Sequence, residues 1–200
     1  MNLGKIFIAA FLIDNVILMR FLALCPFIGM STDEDKSTGM GLAVTFVTVL
    51  ATAVTWPLYR FVLSRDGVFS RVLPNGLEFL QLLVFILVIA ALVQLVEFFL
   101  KKAMPSLYKS MGIYLALITT NCAILAVTLD VWIKQYGFIE SLVYAAGVAL
   151  GFLLSLLLLA GIRRRIRTSP IPAFLKGTPI LFVTAALLSM AFAGFNGLVK

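Results

Sequence analysis

The sequence predicts an all-α polytopic membrane protein, from its apolar content, the recurrence of its apolar runs and the charges that border them. Of 200 residues, 62% are hydrophobic and 12% charged, and the mean hydropathy is +1.10. Soluble domains are about 45–50% apolar. Runs of about 20 apolar residues recur along the whole chain, each long enough to cross a hydrocarbon core. The formal net charge of +7 is what membrane proteins carry in cytoplasmic loops, so it points to membrane lipid and not to nucleic acid. The first run carries Asp14 and Arg20 inside it and has no small-residue cleavage site, which sets it apart from a secretory signal.

Six spans follow from the apolar runs and their borders, in one integral membrane domain covering residues 1–200. Span one runs about 6–28 and is interrupted near Cys25-Pro26. Span two runs about 39–63, span three about 77–100, span four about 113–131, span five about 141–162 and span six about 179–199. Trp56, Tyr59, Tyr108, Trp132 and Tyr136 fall near the predicted ends, where amphipathic rings prefer the interface. The loops after spans one, three and five hold Lys36, Lys101, Lys102, Lys109, Arg163, Arg164, Arg165, Arg167 and Lys176. The opposite side holds Lys5, Arg60, Arg65, Arg71, Lys134 and Lys200. The positive-inside rule then places both termini on the non-cytoplasmic side.

The two halves, about 1–104 and 105–200, resemble each other. Each has one cysteine in its first span, Cys25 and Cys122. Gly41-Leu42-Ala43-Val44-Thr45-Phe46 aligns with Gly147-Val148-Ala149-Leu150-Gly151-Phe152, and Ala90-Ala91-Leu92-Val93 with Ala185-Ala186-Leu187-Leu188. The matches come in order at similar offsets of roughly 100 positions, as in weak internal repeats of the inverted kind. Three spans per half make the second half enter the membrane from the opposite side, so the predicted fold is two inverted three-helix repeats. Sites in such folds gather near mid-depth, often where helices are broken.

Cys25 and Cys122 are the only cysteines, and there is no histidine. Imidazole-ligated haem and zinc, and histidine proton shuttles, are therefore excluded. Two thiolates are half of what an iron–sulfur cluster needs, so a cluster here requires two more from another subunit. The competing reading is that both are small buried hydrophobes, the commonest use of free cysteine. Burial of both thiols also argues against a disulfide. Cys122 lies near the middle of span four. A straight span one would leave Cys25 about 8–9 Å from the membrane edge at about 1.5 Å per residue. Residues 26–30 running extended after Pro26, at about 3.3 Å each, would cover roughly 16 Å and bring the two thiols to a common depth. Thr119-Thr120-Asn121 either satisfies backbone freed by that break or marks a second one.

Other motifs carry less. Asp14 and Arg20 lie within a span, where ionisable groups face a protein interior or a polar path, or else snorkel. Arg163-Arg164-Arg165-Ile166-Arg167 reads as a topology determinant and lipid contact, with docking of a soluble electron donor as the alternative. Gly39, Gly41, Gly147, Gly151, Gly194 and Gly197 suit close helix packing. No phosphate-binding glycine loop, serine nucleophile, paired carboxylate site or zinc spacing is present, so no catalytic residue is assigned.

Arg20-Phe21-Leu22-Ala23-Leu24-Cys25-Pro26-Phe27-Ile28-Gly29, Gly39-Met40-Gly41-Leu42-Ala43-Val44-Thr45-Phe46 and Ala90-Ala91-Leu92-Val93-Gln94-Leu95-Val96-Glu97 resemble the Rnf/Nqr family of redox-driven ion pumps. So do Leu117-Ile118-Thr119-Thr120-Asn121-Cys122-Ala123 and Ala160-Gly161-Ile162-Arg163. Both cysteine motifs are nearer the Rnf branch, and the resemblance covers essentially the whole chain. It implies a six-span inverted repeat paired with a homologous sister membrane subunit of opposite orientation. Each subunit would give two cysteines, here Cys25 and Cys122, to one [2Fe–2S] cluster in the membrane. The complex would pass electrons between reduced ferredoxin and NAD and move Na⁺ or H⁺ across a prokaryotic cytoplasmic (inner) membrane, with flavins and NAD on other subunits only. This sequence departs from the pattern at Ala23, where glycine is usual, at Ala116, where proline often stands, at Arg164, a usual glutamate, and at Asp14, a usual asparagine.

The expected function is thus a membrane subunit of an ion-translocating electron-transfer complex, part of an oxidoreductase with no complete active site in this chain. The alternative is a small secondary transporter, or a structural membrane subunit, with incidental cysteines.

Overall fold

The structure is a computed structural model that describes residues 3–31, 34–58, 60, 83, 86, 87, 90, 91, 94, 98, 102, 121–172 and 175–195. Span three (apart from isolated positions), Glu97, Thr119, Thr120, Tyr59 and Tyr108 lie outside the described residues. Among the described residues every regular element is helical. In chain order they are α1 (Leu3–Ile8), a π-helical turn (Ala9–Ile13), α2 (Val16–Arg20), α3 (Leu24–Met30), α4 (Glu34–Leu58), α5 (Cys122–Ile133), α6 (Phe138–Ile166) and α7 (Thr178–Ala193). Two stretches, 37–57 and Phe138–Ile166, are long and apolar enough to cross a membrane, and Leu3–Ile13, α5 and α7 are shorter apolar helices. The chain separates into two compact units, Met1–Phe46 with Val143–Lys200, and Val47–Leu142.

In the first unit, span one is broken twice. The π turn ends where the Asp14 N–H donates to Ala9 O at 2.8 Å, and Asp14 then leaves helical geometry (φ −89°, ψ 38°). Asn15 restarts the chain as the N-cap of α2 with extended backbone (φ −61°, ψ 111°). Its Oδ1 accepts from Ile17 N at 3.2 Å and Leu18 N at 3.3 Å. Its Nδ2 donates to Gly151 O at 3.0 Å and to Ser155 Oγ at 2.7 Å on α6. Inside a bilayer no water replaces a lost backbone bond, so a break in a span needs such internal partners. The second break lies at Phe21 and Ala23, both left-handed (φ 53° and 57°). The Phe21 N–H returns to Ile17 O at 2.9 Å and closes α2.

The position of the second break corrects the sequence expectation. Residues 26–30 are helical, within α3, and not extended. Pro26 is the third residue of that helix, where a backbone N–H has no intrahelical acceptor to lose. The chain therefore breaks before Cys25, at the left-handed residues, and not after it at the proline.

Helix α6 packs against this broken span through residues without bulk. A Cβ on Gly147 would lie 2.9 Å from Ala10 Cβ and 3.1 Å from Phe7 O, and one on Gly151 only 2.7 Å from Phe11 O. A Cβ on Gly41 of α4 would instead meet the Leu153 side chain. Val16, Ile17, Leu18, Val148, Phe152 and Leu156 are buried. α7 packs against α2 and the π turn, and Ser189 Oγ donates to Leu18 O at 2.5 Å.

The second unit holds the later part of α4, then α5 and the turn into α6. The Trp56 Nε1–H donates to Tyr136 O at 3.0 Å, and the Trp56 ring meets Phe138 edge-on at 5.3 Å. Arg60 lies over the Trp56 ring at 5.3 Å. Glu140 accepts from the Gly137 N–H at 3.1 Å at the start of α6, half of a capping box. Trp56, Trp132 and Tyr136 thus stand at helix ends, as the sequence predicts.

Asn15→Ala removes a cap and leaves buried partners on two helices unsatisfied, and is expected to cost about 2–4 kcal/mol in thermal unfolding of the purified protein. Gly151→Ala presses a methyl against a backbone carbonyl and is expected to cost about 1–3 kcal/mol. In the same assay Gly41→Ala, which meets a movable leucine side chain, is expected to be milder.

Candidate metal centre

Both cysteines sit in the first turn of a helix. Cys25 is the second residue of α3 and Cys122 the first of α5. Both are exposed thiols outside any disulfide. This overturns the premise that both are buried. The exposed thiols face away from the packed interior of this chain, toward lipid or another subunit.

The local backbone explains the placement. Ala23 occupies the N-cap position of α3 in a left-handed conformation and is 1% exposed. Its carbonyl accepts the Phe27 N–H at 3.2 Å, and Phe27 is fully buried. Residues with a Cβ enter this region at a cost of roughly 1–2 kcal/mol, and glycine does not. A departure seen in the sequence, alanine where a glycine is usual, therefore falls at a position whose φ favours glycine.

Asn121 begins α5 in the manner of Asn15 in α2. It is extended (φ −76°, ψ 112°), and its Oδ1 accepts from Ala123 N at 3.0 Å. Asn121 is 5% exposed, and its Nδ2 has no hydrogen-bond partner among the described residues. A buried amide left unpaired is rare and costly, and it marks a place where a further acceptor is in demand. Among the described residues no group of three or more cysteine or carboxylate side chains could hold a metal ion. Each thiol stands in a first helical turn, whose unshared N–H groups favour negative charge.

Two residues emerge that sequence reasoning passed over. Asn15 organises the broken span, and its signal was an Asx pair inside an apolar run, a helix-start pattern. Arg163 donates from Nη1 to Ile28 O at 3.1 Å and Ser31 Oγ at 3.0 Å, whereas Arg164, Arg165 and Arg167 are exposed. Charge patterning alone does not set Arg163 apart within the run of arginines.

Apolar helices of spanning length, a polar side chain that repairs a broken span and thiols held at helix starts describe a helical membrane protein. The chain belongs to the Rnf-Nqr family, described as "Rnf-Nqr subunit, membrane protein", which matches residues 3–199. It is 50% identical over 198 residues, 99% of this chain and 98% of the relative, to a protein of Syntrophotalea carbinolica named as one subunit of an ion-translocating oxidoreductase complex. It is 48% identical over 198 residues, with the same coverage, to a protein of Acetobacterium woodii named as the corresponding subunit of a Na(+)-translocating ferredoxin:NAD(+) oxidoreductase complex. A protein of Azoarcus sp. with the same name as the first of these is 49% identical over 189 residues, 94% of this chain and 93% of the relative.

At Ala23, a β-branched residue combines left-handed strain with overpacking. Ala23→Val is expected to destabilise by about 2–4 kcal/mol, whereas Ala23→Gly is expected to unfold within a few degrees of wild type, as read by a thermal shift of the detergent-solubilised protein.

Proposed function

We propose that this chain is a membrane subunit of an ion-translocating ferredoxin:NAD oxidoreductase complex, and that Cys25 and Cys122 supply two of the four thiolates of an intramembrane [2Fe–2S] cluster. A homologous sister subunit supplies the other two. The observation that carries the reading is the exposure of both thiols, each in the first turn of its own helix. The names of the relatives support the complex. The donor count supports the sharing, since two thiols cannot complete a four-thiolate site.

When bound, the cluster would accept and release one electron and divide a hydrocarbon core about 30 Å thick into shorter electron transfers. The chain's own part is to hold and tune it. Cys25 and Cys122 are the ligands, and the unpaired Asn121 Nδ2 is a hydrogen-bond donor at the Cys122 helix start. Donors to sulfur stabilise the reduced, more negative state. Flavin and nicotinamide belong to other subunits. The two cysteines at comparable helix starts favour an inverted repeat of three spans and three, in one membrane domain. The exposed Arg164, Arg165, Arg167 and Lys176 favour a cytoplasmic face after α6 and non-cytoplasmic termini. A solute transporter needs polar groups at the broken span open to its cargo, and the amide of Asn15 is already engaged by four groups of its own chain.

The test is co-purification of the chain with its sister subunit, followed by iron analysis and EPR of the reduced pair. About two irons per pair and a [2Fe–2S] signal are expected. Cys25→Ser and Cys122→Ser should each abolish the signal. An intact pair without iron, or a signal indifferent to both substitutions, defeats the proposal.

A further inference from the structure

Helix α3, which carries Cys25, has only seven residues. A helix this short does not stand in isolation, so its position depends on what grips it. Its N-terminal side follows two left-handed residues, Phe21 and Ala23, and is held by the buried Ala23 and Phe27. Its C-terminal side is gripped. Ile28 O is one of the last four carbonyls of the helix, which have no intrahelical donor. It accepts from Arg163 Nη1 at 3.1 Å and from Ser31 Oγ at 3.1 Å. Ser31, the C-cap, is fully buried and itself accepts from Arg163 Nη1 at 3.0 Å. A cation at a helix C-terminus also opposes the negative end of the helix dipole.

The other end of the grip is firm. Arg163 lies in the last turn of α6. The same helix is fixed to the broken span through Gly151 and Ser155, the first of them twelve residues or about 18 Å earlier at about 1.5 Å per residue. Arg163 therefore ties the Cys25 helix to the helix that also holds Asn15. Its neighbours Arg164, Arg165 and Arg167 are exposed.

We propose that Arg163 is a positioning residue for the Cys25 thiol: its guanidinium clamps the C-terminal end of α3 through Ile28 O and Ser31 Oγ and so fixes the depth and direction of that ligand. As a role toward the cluster, this rests on the cluster reading above; the clamp itself stands on this chain alone, and the test separates the two. In the full-length chain in lipid nanodiscs, Cys122→Ser leaves Cys25 as the one thiol for a nitroxide label, and Cys25→Ser leaves Cys122. Arg163→Ala is expected to shorten the correlation time of the Cys25 label by about twofold or more. Arg163→Lys, which keeps the charge and can donate to both acceptors, should restore much of the order. Arg165→Ala should leave the Cys25 spectrum as in wild type, and the label at Cys122 should not respond to Arg163→Ala. A Cys25 spectrum unchanged by Arg163→Ala overturns the clamp. If Arg163→Ala does not accumulate in the membrane, Ser31→Ala, which removes one acceptor, should give a smaller change in the same direction, and no change there overturns the clamp equally. In the pair assembled with the sister subunit, Arg163→Ala should broaden the EPR signal of the reduced cluster and Arg163→Lys should narrow it again. A cluster signal indifferent to Arg163→Ala overturns the positioning role. A wild-type pair with no iron–sulfur signal defeats the cluster reading instead, and leaves the nitroxide spectra to decide the clamp.

Discussion

The amide of Asn15 restarts a membrane span after a break and ties it to a neighbouring helix. Its oxygen caps two N–H groups of α2, and its nitrogen reaches a carbonyl and a hydroxyl of α6. In water such a break would be solvated. In hydrocarbon each unmet polar group costs several kcal/mol, so the break survives only where protein supplies the partners. Much else in the first unit follows from this. The π turn delivers the chain to Asn15, and Gly151 lets α6 approach closely enough for its carbonyl to be reached.

α6 serves the broken span as a splint. At 29 residues it is about 43 Å long, more than a hydrocarbon core about 30 Å thick. Gly147 and Gly151 meet the π-turn region, Ser155 meets Asn15, and Arg163 meets the end of α3. Small residues permit contact where the bilayer gives no hydrophobic drive for helix association. A charged residue can make the last contact because it lies at the end of the helix, where the cost of a charge is lowest.

The helical, membrane-spanning character was legible, because it is written in the length and spacing of apolar runs. Spans two, five and six overlap α4, α6 and α7, with described ends up to about six residues from the expected ones. The two candidate ligands were also legible, as the only thiols of the chain. The location of the break was not. Pro26 drew attention as a helix breaker, yet in a first turn proline breaks nothing. The deciding feature was the left-handed backbone at Phe21 and Ala23, two residue types that carry no local signal for it. The exposure of Cys25 and Cys122 was hidden for a related reason. Helices apolar on every side do not announce which face meets the core, which the lipid and which a partner. Arg163 belonged to a run shared with the family, but its inward turn was not legible, since only the tertiary fold decides which arginine turns inward.

The left-handed backbone at Ala23 also bears on how this protein can vary. Of the residues one base change from an alanine codon, valine and threonine are β-branched and ill-suited to positive φ, and proline cannot adopt it. Aspartate and glutamate would carry a charge into a site that is 1% exposed, and serine a hydroxyl. Glycine alone relieves the backbone. The approach to Cys25 is therefore a bottleneck in sequence space, open in a single genetic step in only one direction.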